Sequence, residues 1–283
     1  MAKLSSSSRR RQARRGTVRE ERVRKQNQSA LVKIAVAILI VGVVVTFYLR
    51  VQASHKALDE VTLCPAEPTS VTVLLVDVTD PMNTPQRQDF MNQLARLKNS
   101  IPRYGELVVS KVDPTDANLL LPIITRCNPG TAADVNEATG DPAFVQKQWG
   151  EGFDKPLQTS FERLTTASGS EKSPILESIQ SVALTEFQKP GREGVPRRLV
   201  VASDLLQNTG EISFYRGLPD PRKFTSSAAF RRARTDLRGV EVELWMLERS
   251  DAAFTQPRSL ADLWDRVITE QGGDLKRVYN VSG

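Results

Sequence analysis

The sequence predicts an α/β domain, built on a mostly parallel central sheet with helices on both faces, behind one N-terminal transmembrane helix. Three observations carry this reading. Residues 71–76 (VTVLLV) and 198–202 (RLVVA) are continuous apolar, β-branched runs, the pattern of strands buried on both faces. Segments with helical spacing alternate with such runs, the order that gives a parallel sheet with crossover helices. Residues 34–49 (IAVAILIVGVVVTFYL) are sixteen residues without a charge.

Residues 1–29 hold ten Lys or Arg against Glu20 and Glu21, a net +8 within the overall +6, so the rest of the chain is slightly acidic. This basic tail is low in complexity and is expected to be disordered apart from a short helix at 18–28. With Lys33 snorkelling to the interface, residues 30–32 extend the apolar stretch to about 20 residues, the length a helix needs to span the hydrocarbon. A transmembrane helix is therefore expected over 30–50, with Tyr48 and Arg50 as interfacial anchors. Basic flanks stay in the cytoplasm, which places everything after Arg50 in the periplasm or outside the cell. A buried core helix is opposed by apolarity on all sides. A cleaved signal peptide has a small-residue site at Val51-Gln52-Ala53, but the apolar stretch and the basic head are both long for one. Retention as a signal-anchor is the preferred reading.

Residues 51–70 read as a stalk ending in Pro65 and Pro68. The two cysteines, Cys64 and Cys127, both lie beyond the span, where an oxidising compartment favours a disulfide over two buried thiols. A bridge would close a loop worth about 4 kcal/mol by the chain-entropy relation. Residues 71–283 form the domain. Strand 71–76 is followed by a helix at 84–97, with Phe90, Leu94 and Leu97 at helical spacing. Strands follow at 106–112 and 119–125, Pro122 marking the second as an edge strand. Residues 126–151 are rich in Pro, Gly and Asp and are expected to form a surface loop with at most one short helix. Helices are expected at 156–166 and at 174–187, the latter with Leu176, Ile179, Ala183 and Phe187 on one face. Strand 198–202, a helix at 225–237, strand 240–247, a helix at 260–270 and a short strand at 278–281 complete the order.

In such sheets ligands gather outside the carboxyl ends of the strands. Asp77-Val78-Thr79-Asp80-Pro81 directly follows the first buried strand, and Ser203-Asp204 follows the later one. Between them, Ser173-Pro174 opens a helix. Oxygens of these types suit a hard divalent cation such as Mg²⁺, which takes few carboxylates. On these residues the chain resembles the von Willebrand factor type A (VWA) family. Its metal-ion-dependent adhesion site has D-x-S-x-S after the first strand, a Thr in a middle loop and an Asp after the fourth strand. Asp77 matches the first Asp and Thr79 the first Ser. Ser173 resembles the Thr loop, and Asp204, in LVVASDLLQN, resembles the later Asp. Pro81 stands where the second Ser would be, so the resemblance implies a degenerate site, with Asp80 and Asn83 as candidate sources of the missing oxygen. It covers residues 70–282 and implies protein binding in which an acidic side chain of the partner completes the metal's coordination. Each residue also has a plain structural role: a local turn for Asp77 and Thr79, an N-cap with Pro at the first helical position for Ser173, and a turn cap for Asp204.

The only histidine, His55, lies in the stalk, which excludes Ser-His-Asp and Cys-His catalysis within the domain. No G-x-x-x-x-G-K-[ST] occurs, and two cysteines are too few for a four-thiolate zinc site. One enzymatic alternative remains, a metal-dependent phosphoester hydrolase with Asp77 as nucleophile, resembling haloacid-dehalogenase-type phosphatases. There Thr79 stands where a second Asp belongs, and no acidic pair follows a later strand. Orientation and attraction to anionic lipid account for the basic tail, and nothing beyond charge points to nucleic acid. The expectation is thus a membrane-anchored, extracytoplasmic domain that binds protein partners in an envelope-associated assembly, a binding protein more than an enzyme. A structural anchor without metal is the third reading.

Overall fold

The computed structural model describes residues 27, 30–50, 57–77, 79, 81–112, 120–137, 140–164, 172–192, 194–249 and 256–281. Two compact units divide the chain, Met1–Lys56 and Ala57–Gly283. The expected tail helix at 18–28, apart from Asn27, and His55 with its neighbours at 51–56 lie outside the described residues.

In the first unit, helix α1 (Ala30–Arg50) is 21 residues long with a mean hydropathy of 2.8 and no buried share. At 1.5 Å per residue it reaches about 30 Å, the thickness of a bilayer's hydrocarbon core. Among the described residues it is the one helix long and apolar enough to cross a membrane, and it fits a single-pass membrane protein. Its hydroxyl at Thr46 donates back to the Gly42 carbonyl, so this polar group is satisfied within the helix.

The second unit is a six-stranded, mostly parallel sheet flanked by helices. Its strands are β1 (Val71–Val76), β2 (Glu106–Lys111), β3 (Ile124–Cys127), β4 (Arg197–Ser203), β5 (Val240–Leu247) and β6 (Asp274–Val281), in the order β3-β2-β1-β4-β5-β6. Only β3, at one edge, runs antiparallel. The expected edge strand is therefore present, but it starts after Pro122 and not before it, since proline cannot donate to the ladder. The last strand is longer than the expected 278–281 because it pairs with β5 across a register shift at Val242/Glu243.

Alternation of side chains splits the apolar strands between two cores. Val71, Val73, Leu75, Leu199, Val201, Val242 and Leu244 face α5 (Ile175–Val182), α6 (Pro221–Thr225), α7 (Ala228–Ala233) and α8 (Ser259–Glu270). Leu74, Val76, Val200, Ala202 and Trp245 face α2 (Thr84–Ser100) and α4 (Lys155–Leu164). This is why β1 and β4 carry no polar alternation: both of their faces are covered. On the second face Phe90 meets Trp245 edge-on at 6.1 Å. Full burial of side chains of this size contributes about 1.5–3 kcal/mol each.

Two expectations are corrected in part. The one short helix allowed within the expected loop over 126–151 is present as α3 (Pro142–Gln148), but the loop does not last to 151: α3 runs through a π-helical turn at Trp149–Asp154 into α4, the helix expected at 156–166. Asp141 starts α3 by accepting from the Ala143 and Phe144 amides. Gly150 and Gly152 concealed this continuity, because glycine disfavours helices. Gly152 gives Leu63 room to pack closely: a Cβ there would stand 2.5 Å from Leu63 Cδ1, so that side chain would have to shift. The expected helix at 225–237 is instead the pair α6 and α7. Each has its own cap, Asp220 accepting from the Lys223 amide and Ser227 from the Phe230 amide.

Residues 58–70, the end of the expected stalk, run along the amino edge of the sheet. The Cys127 amide donates to the Thr62 carbonyl, and the Glu106 amide donates to Ser70. Cys64 and Cys127 form the expected disulfide, with Cα atoms 4.8 Å apart. Cys127 pairs with Glu106, the first residue of β2, so the bridge also sits at the amino edge.

Candidate functional site

β1 and β4 are neighbours, and the strand order reverses between them, which makes their carboxyl ends the switch point of the sheet. Val76 lies opposite Ala202, so Asp77 falls beside Ser203 and its amide donates to the Ala202 carbonyl at 2.8 Å. Asp77 is 3 % exposed. Its Oδ1 accepts from the Thr79 amide (3.1 Å) and the Thr79 hydroxyl (2.7 Å). Its Oδ2 accepts from the Ser173 hydroxyl (2.5 Å) and the Ser203 hydroxyl (2.9 Å). A carboxylate offers about four lone-pair sites, and all four are filled.

Ser173 is free for this contact because it does not cap α5. The cap role expected for it is taken by Gln207, buried after β4, whose side-chain oxygen accepts from the Leu176 amide at 2.9 Å while its amide group donates to Glu177. Ser173 is held in place by two backbone bonds with Asn208, both 2.9 Å. The turn expected at Asp77 and Thr79 is present, together with the long-range bonds. Ser203 completes the cluster: its oxygen accepts from the Leu205 amide (2.9 Å) while its proton goes to Asp77. Leu205 has φ +61°, the left-handed region, which turns the chain sharply after Asp204 and costs a non-glycine residue about 1–2 kcal/mol. Trp264 Nε1 secures that turn by donating to the Leu205 carbonyl at 2.9 Å.

Asp204, 6 % exposed, accepts from the Leu206 amide through Oδ1 (2.9 Å). Its Oδ2 takes Arg249 Nε and the Tyr215 hydroxyl, the latter at 3.3 Å. Arg249 also donates to the Tyr215 oxygen and stacks on its ring, 5.0 Å from the centroid. Gln256 pins this corner, accepting from the Arg249 amide (3.0 Å) and donating to the carbonyls of Asp204 (2.8 Å) and Leu247 (3.0 Å). Burial pushes the Asp204 carboxyl up to about 6. The Arg249 guanidinium draws it back down, and the neighbouring Asp77 carboxylate raises it further.

The four residues expected from the sequence, Asp77, Thr79, Ser173 and Asp204, thus stand at one edge, three of them joined directly by hydrogen bonds. Asp80 lies outside the described residues, and Asn83 is committed elsewhere, as the N-cap of α2, where it accepts from the Gln86 amide at 2.8 Å. Ser203 was placed at this edge by the sequence but not among the four expected ligands, and Tyr215, Arg249 and Gln256 were not singled out. Arg249 had a usable signal, since it lies two residues past the end of β5 as Asp204 lies one past the end of β4; Tyr215, in a single 3-10 turn at Phe214–Arg216, and Gln256 had none.

Both carboxylates are already engaged: the two Asp77 oxygens each accept two hydrogen bonds, and Asp204 shares an oxygen with a guanidinium. A divalent cation would have to compete with these bonds and would rely on the oxygens of Thr79 and Ser173, whose hydroxyls donate their protons and keep their lone pairs. Among the described residues, no group of three or more His, Cys, Asp or Glu could hold a metal. A covalent role for Asp77 meets the same obstacle, since its oxygens are buried and fully hydrogen-bonded.

No protein-family model matches the chain, and no curated protein matches it. Solved structures do. One is an aerotolerance-related membrane protein from Bacteroides fragilis NCTC 9343 with multiple mutations to serines, 12 % identical, covering 76 % of this chain and 92 % of that one, with a TM-score of 0.36. Another is the conserved hypothetical protein BatB from Bacteroides thetaiotaomicron, 13 % identical, covering 75 % and 91 %, with a TM-score of 0.37. A likeness this loose says nothing about site or activity.

Proposed function

We propose that this chain is a single-pass membrane protein whose α/β domain, outside the cytoplasm, docks a protein partner on the carboxyl edge of its sheet. The observation that carries the reading is the placement of the Asp77–Ser173–Ser203 cluster and its Asp204–Arg249 neighbour. They occupy the switch point, the opposite end of the strands from the Cys64–Cys127 bridge where the polypeptide enters. Six residues of β1 separate the two ends by about 20 Å. The +8 tail supports a cytoplasmic N-terminus, and a disulfide supports an oxidising compartment for the domain.

Two exposed glutamates allow a test. Glu248 lies just past the carboxyl end of β5 and Glu241 near its amino end. Glu248→Lys is expected to remove partners that co-isolate with the full chain from detergent-solubilised membranes, and Glu241→Lys to leave them in place. Loss with Glu241→Lys alone would move docking to the other end. No co-isolating partner with the unsubstituted chain would favour the structural-anchor reading. The competing cation-dependent reading draws on the convergence of Asp77, Thr79, Ser173 and Asp204, and predicts that chelation strips the partner. The hydrolase reading predicts turnover of a phosphate ester that Asp77→Asn abolishes.

A further inference from the structure

The carboxyl edge already contains a cation. β5 lies beside β4, with Ser203 opposite Met246, so the chain leaving β5 delivers Arg249 to Asp204. The contacts that hold Arg249 there include its ion pair with Asp204, its bond to the Tyr215 hydroxyl, its stacking on the Tyr215 ring and its backbone bond to Gln256. Its side chain is 18 % exposed and that of Asp204 is 7 % exposed. A surface ion pair between two mobile side chains would show none of this scaffolding.

We propose that Arg249 is the resident cation of this edge: its guanidinium compensates the Asp77–Asp204 pair where the VWA family uses a divalent metal, and it keeps such a metal out. Two features of the edge lead there. Asp77 spends every lone pair on Thr79, Ser173 and Ser203, so its carboxylate is satisfied by hydrogen bonds without an ion. Asp204, the other carboxylate, is neutralised by a group that stays protonated at any physiological pH and cannot be chelated. A dication entering this corner meets a fixed positive charge and has to displace existing hydrogen bonds. The consequence for docking is that the edge engages its partner independently of divalent cations. That consequence rests on the docking site proposed above, whereas metal exclusion is a property of the isolated chain and is tested without a partner.

The test uses the full chain in detergent, stripped with EDTA and then melted with and without millimolar Mg²⁺ or Mn²⁺. Unsubstituted protein is expected to show no metal-dependent change in Tm. Arg249→Ala frees Asp204 Oδ2 and the space beside it, and is expected to gain a rise of a few degrees with metal that Asp204→Asn removes. If Arg249→Ala does not fold, Arg249→Gln keeps bulk and a donor to Tyr215 while removing the charge, and the same metal response is expected of it. A metal-dependent rise in the unsubstituted chain, lost with Asp204→Asn, would overturn the proposal. So would a folded, uncharged variant at 249 that stays silent to both metals. Mn²⁺ binding followed by electron paramagnetic resonance gives an independent reading: free-ion signal undiminished by the unsubstituted chain supports exclusion, and loss of signal at one ion per chain contradicts it.

Discussion

Replacing Asp77 with alanine removes the acceptor on which four hydrogen bonds converge, from the Thr79 amide, the Thr79 hydroxyl, Ser173 and Ser203. A hydrogen bond to a charged group contributes about 1.5–3 kcal/mol net. The two serine bonds are the ones that matter most, because both hydroxyls are buried and each ties a different element to β1. Thr79 can turn toward other partners more cheaply. Removing the buried charge itself returns part of its desolvation cost. The net destabilisation is expected at about 3–4 kcal/mol, which for a domain of this size lowers Tm by roughly 10 °C. Asp77→Asn keeps one oxygen for Thr79 and turns its amide group toward hydroxyls that can rotate to accept, so its cost is expected at about 1–2 kcal/mol. Thermal unfolding of the full chain in detergent with EDTA, followed by circular dichroism, measures both. The order of stability should be unsubstituted, then Asn, then Ala. An alanine variant within about 1 kcal/mol of the unsubstituted chain would refute the reasoning, since four bonds to a buried carboxylate cannot vanish at so little cost.

Three further outcomes follow from the same geometry. Asp204 is raised from 3.8 to about 6 in the folded chain, so its contribution to stability is fully present below about pH 4 and is lost as pH rises through about 6; over that window the unsubstituted chain should lose about 3 kcal/mol relative to Asp204→Asn in EDTA. Comparing the two chains cancels Asp59, Asp134 and Asp236, whose lowered values act in the opposite direction, and a flat difference across the window would contradict the raised value. Replacing Cys64 and Cys127 with Ser should cost about 4 kcal/mol in chemical denaturation, given the separation of 63 residues, and reduction should have the same effect on the native chain. Gly152→Leu should destabilise the stalk contact by driving a side chain into Leu63, seen as faster proteolysis within residues 57–70; unchanged cleavage would show that the contact is dispensable.

Elements with a period or a fully buried run were readable from sequence, and elements held by irregular contacts were not. β1 fell at 71–76 as expected because a strand buried on both faces shows as an unbroken apolar run, and β5 at 240–247 because Val240, Val242 and Leu244 alternate with glutamates. The helix expected at 156–166 is present as α4, and the short helix allowed within 126–151 as α3; their continuity was not legible because Gly150, Gly152 and a π-helical turn interrupt the pattern. At the site, strand tips announced Asp77 and Asp204. Their chemistry was harder to read. Whether a serine caps a helix or bonds a carboxylate depends on Gln207 taking over the cap, a contact between residues 31 positions apart. Arg249 is a common residue in a common place, and only the sheet order brings it to Asp204. Long-range pairing decided the charge balance of the edge, and no local motif records it.

The measurement closest to the central claim is photo-crosslinking in intact cells, with a photoreactive residue placed at position 248 and, as the control, at position 241. Crosslinked partner is expected from 248 and none from 241, with a yield unchanged by chelation and with loss of the product when Asp77→Ala disorders the edge behind it. Product from 241 without product from 248, or a product at 248 that chelation abolishes, would contradict it.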